Sequence, residues 1–368
     1  MDKKIIVGII ILVLVGFIPL QWFAQVENVL PPIGVQDITN SNNNVYSPVG
    51  SSIQEAIDDV YNSGGGQVWV NCDVELEEPI YLKEDVYIDF MNHDILLKND
   101  ISCVILTGGV KYATFKNARI QVTKSHTESV ILLHVPSSGG WAMRVRYNLF
   151  ENIRIINPSH WTPGVGWDGH FYNGIHILNE GTSNTLENTF RDMWMEGAGT
   201  GILLENPQYS GWNNGNTFEN IWIDQFVTCI WFKVPNDAHW GFNQNLFRDV
   251  KAQSARFSKW GVRDISHNGN HFDHVLIWDW GVAKEPVHEW TLTDKAYNTI
   301  ICAHSIHDIV DDGRDTTIGC IDDPYDFGDR YNDRLLMDTI NYTKAILVTI
   351  IIGIIITYIY VKKRKRKK

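Results

Sequence analysis

Five times between residues 148 and 272 the chain repeats Asn-x-Phe: Asn148-Leu149-Phe150, Asn188-Thr189-Phe190, Asn216-Thr217-Phe218, Asn245-Leu246-Phe247 and Asn270-His271-Phe272. A weaker sixth copy reads Asn298-Thr299-Ile300, and the successive intervals are 40, 28, 29, 25 and 28 residues. Periods of this size mark stacked structural repeats. Counted from each Asn, the sixth position is Ile153, Met193, Ile221, Val250 and Val275, and the eighth is Ile155, Met195, Ile223, Ala252 and Ile277. Residues two apart lie on one side of a strand, so these positions and the Phe make one apolar face. A single rung cannot bury that face, whereas stacked rungs form a continuous core. The repeated Asn and the fifth position (Asn152, Asp192, Asn220, Asp249, His274) fit ladders of turn residues between strands.

The segment before the repeat reads as its cap. Ile53, Ala56, Ile57 and Val60 recur at helical spacing, Ser51 or Ser52 can cap the start, and Gly64-Gly65-Gly66 ends the helix. Short β-rich runs follow at 67–70, 80–82, 86–90, 95–97, 104–106, 113–115 and 120–122, separated by Asn, Asp, Gly and Pro turns. Ser52-Ile53-Gln54-Glu55-Ala56-Ile57 followed by Gly64-Gly65-Gly66-Gln67-Val68-Trp69-Val70 resembles the opening of the pectin-lyase-like proteins of the pectate lyase superfamily. The resemblance spans about residues 50–310. It implies an all-β fold, a right-handed parallel β-helix with a short N-terminal capping helix. Where that family continues with Pro-x-Gly, this chain has Asn71-Cys72-Asp73. The fold carries lyases, hydrolases, epimerases and non-catalytic adhesins, so it does not choose an activity.

The two ends differ in kind from the repeat. Residues 5–20 are almost wholly apolar and continue into Gln21-Trp22-Phe23-Ala24. Residues 345–361 are apolar again and precede the basic tail 362–368. Each run approaches the roughly 20 residues that cross a bilayer as a helix, so transmembrane segments are expected to flank the β-helix. The basic tail places the C-terminus on the cytoplasmic side. The expected organisation is a signal anchor or signal peptide over 1–24, a stalk over 25–48, the β-helix over 49–310, an acidic membrane-proximal segment over 311–343, a transmembrane helix over 344–361 and the cytoplasmic tail. Residues 25–343 are then extracellular or on a virion surface.

The net charge is −12; residues 1–4 contribute +1, Lys344 +1 and the tail +7, leaving −21 on the remainder. An acidic surface of that size argues against a nucleic-acid partner. Five cysteines (72, 103, 229, 302, 320) show no metal-type pairing; an exported chain permits a Cys302–Cys320 bridge. No metal or cofactor is called for. Asn341-Tyr342-Thr343 is the candidate glycosylation site, and a homo-oligomer is open.

The outward positions carry the functional expectation. The seventh reads Arg154, Trp194, Trp222, Lys251, Leu276, and the ninth reads Ile156, Glu196, Asp224, Gln253, Trp278. Rungs about 4.8 Å apart set Trp194 over Trp222 and Glu196 beside Asp224. Indoles stack on sugar rings, and two crowded carboxylates raise one pKa toward the range of a general acid. Twelve of the 14 Trp fall between residues 141 and 290, which favours an aromatic ligand face. The Gly- and Trp-rich loop 160–170 is placed to overhang it with Asp168 or His170. The expected binding residues are therefore Trp194, Trp222, Trp278, Lys251, Asp168 and His170, with Glu196 and Asp224 as the catalytic pair if the chain is an enzyme. A membrane-anchored polysaccharide- or glycan-recognition protein, of adhesin, receptor-binding or viral-envelope type, comes first. An anchored glycosidase or lyase and a purely structural surface component are the alternatives.

Overall fold

The first helical turn is set by a reciprocal cap. In the computed structural model the Ser52 hydroxyl accepts from the Glu55 N–H, and the Glu55 carboxylate accepts from the Ser52 N–H. The helix Ile53–Asn62 buries Ile53, Ala56, Ile57 and Val60, as its spacing predicts. Gly64 and Gly65 then take positive φ, and a side chain at Gly65 would meet the Asp85 carbonyl oxygen at 2.8 Å. The structure describes residues 43–46 and 52–318, apart from 124, 139, 158–171, 208–210, 236–240, 255–257, 279–286 and 304–308.

Beyond the cap the strands pair in parallel from rung to rung. Thr114–Gln121, Leu149–Ile156, Thr189–Glu205, Thr217–Lys233, Leu246–Ser254 and His271–Trp278 form one continuous ladder. A second ladder joins Val104–Thr107, Ser129–Val135 and Tyr172–Asn179 to the later halves of Thr189–Glu205 and Thr217–Lys233. It runs on through Trp260–Asn268 and His288–Tyr297. The chain is thus a parallel β-helix, as the resemblance to pectin-lyase-like proteins implies.

The repeat supplies its core. Phe115, Phe150, Phe190, Phe218, Phe247 and Phe272 are fully buried, and from Phe150 onward neighbouring rings stack with centroids 4.8–5.1 Å apart. The fifth-position residues Asn152, Asp192, Asn220, Asp249 and His274 all hold φ between 51° and 55°. That left-handed conformation suits Asn and Asp best among side chains with a Cβ. Pairing skips these residues, so each strand bends there: Glu151 pairs with Arg191 and Ile153 with Met193.

The Asn of Asn-x-Phe does more than turn the chain. Asn148, Asn188, Asn216, Asn245 and Asn270 are 0–1 % exposed. Each of the first four donates its Nδ2 to the Oδ1 of the next, at 2.9, 2.9, 3.1 and 3.0 Å. The same Oδ1 atoms accept the backbone N–H of the preceding Asn. Burial is tolerable because both ends of every amide are used.

Several boundaries differ from the sequence expectation. The runs 113–115 and 120–122 belong to one strand, Thr114–Gln121, bent at Asn117 with φ 55°. The sixth repeat is one residue out of phase. His271 pairs with Ile300 and Phe272 with Ile301, so Thr299 takes the buried Asn position while Asn298 is an exposed turn residue. Residues 43–46, expected in the stalk, pair with 67–70, whose open edge offers backbone donors and acceptors whatever the side chains. At the other end Ile309–Asp311 and Thr317–Ile318 continue the ladders beyond residue 310. Among the described residues no helix is long and apolar enough to cross a membrane. Both apolar terminal runs, Cys320 and Asn341 lie outside the described residues.

Candidate functional site

The candidate face stands on the first ladder, at the outward positions between the buried sixth, eighth and following residues. Register places Arg154 beside Trp194, Trp194 beside Trp222 and Trp222 beside Lys251; one step along, Glu196 lies beside Asp224 and Asp224 beside Gln253. The juxtapositions expected from spacing are therefore present. The two indoles lie 6.3 Å apart between ring centroids and are tilted by 44°, so they form an angled platform rather than a stack. Trp194 is 41 % exposed and Trp222 is half-buried.

Arg154 adds a feature absent from the expected site. Its guanidinium carbon sits 4.4 Å from the centroid of the Trp194 ring, a cation–π distance. The contact holds the indole and places a positive charge at the edge of the platform. On the far side the face closes, because Leu276, in register with Lys251, is 4 % exposed. Leu276 was expected to point outward with the other seventh positions. A leucine there gains more from being covered than from facing water.

Electrostatics single out Asp224. Burial, and then the neighbouring Glu196 carboxylate, push its pKa up to about 6. Crowding was the expected cause; burial is the larger one. Asp224 Oδ1 and Trp222 Nε1 are both shielded from solvent, with no hydrogen-bond partner among the described residues. One strand thus presents an unspent acceptor and an unspent donor two residues apart. Buried polar groups are rarely left so, and functional sites are a frequent reason. Below the pair, Tyr172 donates its hydroxyl hydrogen to the Glu196 carbonyl oxygen at 2.7 Å, tying the second ladder to the strand that carries Trp194.

The remaining expected residues are less well placed. Trp278 pairs through its backbone with Gln253, two rungs from Glu196, and its side chain lies outside the described residues. Asp168 and His170 lie outside the described residues too.

No protein-family model matches the chain, and no curated protein matches its sequence. Among solved structures it is similar to the A-module of the mannuronan C-5 epimerase AlgE4 of Azotobacter vinelandii. The likeness has a TM-score of 0.31 at 14% sequence identity and covers 73% of this chain and 90% of that one.

Proposed function

We propose that this chain is an outward-facing, membrane-anchored β-helix that recognises extracellular or cell-surface polysaccharide on the Trp194–Trp222 face. The observation that carries the reading is the tilted indole pair on neighbouring rungs, Trp194 exposed and Trp222 half-buried, with Trp222 Nε1 and Asp224 Oδ1 unpartnered among the described residues. An aromatic surface with a few polar groups at its base suits a ring that is apolar on its faces and hydroxylated at its rim. The anchoring half of the reading rests on the apolar runs 5–24 and 345–361 and the basic tail. They leave residues 25–343 outside the cell or on a virion surface, as an adhesin or receptor-binding protein needs.

Glycan-array binding by the full chain in detergent tests the site. The double variant Trp194→Ala/Trp222→Ala is expected to lose at least about tenfold in affinity, since each truncated anchor costs on the order of 1–2 kcal/mol. Unchanged binding overturns the assignment.

A second reading is favoured by one observation, the raised pKa of Asp224 beside Glu196. A carboxyl whose pKa is raised next to a second carboxylate is the pairing that general acid–base cleavage of a glycosidic bond uses. Release of reducing ends from a polysaccharide panel, abolished by Glu196→Gln and by Asp224→Asn, would turn the binder into an anchored glycosidase or lyase.

A further inference from the structure

The second ladder carries a polar group that the glycan face does not use. Ser129 begins the strand Ser129–Val135; Asn173 is its register partner on Tyr172–Asn179, and His176 follows three residues later. Glu205 and Lys233, themselves in register, end the next two strands. Ser129 Oγ lies 2.9 Å from His176 Nδ1, and His176 Nε2 lies 3.1 Å from Glu205 Oε2. Lys233 Nζ holds the other Glu205 oxygen at 2.6 Å. Asn173 Nδ2 donates to Ser129 Oγ at 3.2 Å. Ser129 is 5 % and His176 9 % exposed, so the group sits at the surface with little water around it.

Burial raises the Glu205 carboxyl, but hydrogen bonds from His176 and Lys233, with their charges, outweigh it and hold the group below its ordinary value. An ionised Glu205 only accepts, so the neutral His176 tautomer that suits it carries its hydrogen on Nε2, and in that tautomer Nδ1 is the acceptor facing Ser129. The Ser129 hydroxyl then donates to Nδ1. This is the order of a nucleophile, a base and an orienting acid, recognised by geometry and role rather than by chain order.

We propose that Ser129, His176 and Glu205 form an acyl-transfer site that hydrolyses a carboxylic ester. Ser129 Oγ attacks the ester carbonyl while its proton passes to His176 Nδ1, and a Ser–O–acyl bond forms. The alkoxide leaves as the carbonyl is restored, taking that proton and departing as the alcohol. Water then attacks the acyl-serine, again giving its proton to Nδ1. The carboxylic acid leaves and Oγ recovers its hydrogen. Glu205 keeps the imidazole in the required tautomer and stabilises its charged form. Lys233 holds Glu205 in place, and Asn173 holds the Ser129 hydroxyl oxygen through its donated hydrogen bond. None of these steps depends on the Trp194–Trp222 face.

The test is labelling of the full chain in detergent with a fluorophosphonate probe, with the modified residue mapped by mass spectrometry. It is paired with hydrolysis of p-nitrophenyl acetate. Labelling is expected at Ser129, absent in Ser129→Ala and slowed by at least about 100-fold in His176→Gln, the loss typical of a missing general base. Ester hydrolysis is expected to fall in parallel. Glu205→Gln is expected to shift the pH profile of labelling as well as its rate, which a merely structural acid would not do. Ser129→Cys serves as a folding control: it conserves the side-chain volume and is expected to react with iodoacetamide instead. If the chain shows no label at Ser129, or if Ser129→Ala and His176→Gln alter only thermal stability, the group is a strand-joining network and the proposal fails.

Discussion

Replacing Asn216 by Ala would cut the buried amide column at its middle. Asn216 Oδ1 accepts the Asn188 backbone N–H at 3.2 Å and Asn188 Nδ2 at 2.9 Å. Its own Nδ2 donates to Asn245 Oδ1 at 3.1 Å and more weakly to the Thr185 carbonyl at 3.4 Å. After substitution the Asn188 side chain still reaches the Val145 carbonyl, and Asn245 Oδ1 still receives the backbone N–H of residue 216. The Asn188 backbone N–H has no such reserve. One fully orphaned buried donor costs about 1–3 kcal/mol, and the two half-lost bonds add about 1 kcal/mol between them. A total near 3 kcal/mol corresponds to about a 100-fold change in an opening equilibrium. Amide hydrogen exchange followed at Asn188 reads that change directly, and a lower urea midpoint should accompany it. Should exchange at Asn188 stay within about threefold of wild type, the column contributes little and the energetic argument for the repeated Asn is wrong.

Further outcomes follow from the same structure. Asn298→Ala should lower stability by only about 1 kcal/mol, the cost of putting Ala at a left-handed turn position with φ 50°, because the residue is not a member of the column; a loss near the roughly 3 kcal/mol of Asn216→Ala would place Asn298 in the column instead. Asn220→Val, at φ 51°, forces a β-branched residue into the left-handed region and should lower the urea midpoint by an amount equivalent to at least about 1–2 kcal/mol. The folded-state pKa of Asp224 lies above its ordinary value, so the folded chain binds the extra proton between about pH 4 and pH 6. Its contribution therefore favours folding at the acid end of that window and is lost as pH rises through about 6. Asp224→Asn should accordingly be more stable than wild type at pH 7.5, with the difference vanishing near pH 4; an equal gain at both values would refute the assignment.

The first face of the helix was legible because its marker is redundant. The Phe and the apolar sixth and eighth positions each report the same phase, so Ile153, Met193, Ile221, Val250 and Val275 are buried as expected. The slip at the sixth copy has a physical reason. Asn serves both the buried column and the exposed left-handed turn, so matching Asn298 by residue type confuses two environments. Trp194, Trp222, Glu196 and Asp224 were brought together correctly because they hang from that marked strand. The group at Ser129, His176 and Glu205 leaves no mark in the sequence because its strands carry no repeated signature. Its members are 47 and 29 residues apart and meet only through the pairing of rungs. Burial was also invisible: nothing in the spacing tells that Leu276 is covered or that Asp224 is desolvated.

The amides of the buried Asn column all face one way. From Asn148 to Asn245 each nitrogen donates toward the following rung, and from Asn188 to Asn270 each oxygen accepts from the preceding one. Aligned amide dipoles add, as they do along an α-helix, and a hydrogen-bonded chain polarises its own members. The interior of this solenoid therefore has a polarity of its own, negative toward the capped end and positive toward the later rungs. A rung inserted in the opposite sense would meet oxygen with oxygen, so the column enforces the common direction of the strands from within.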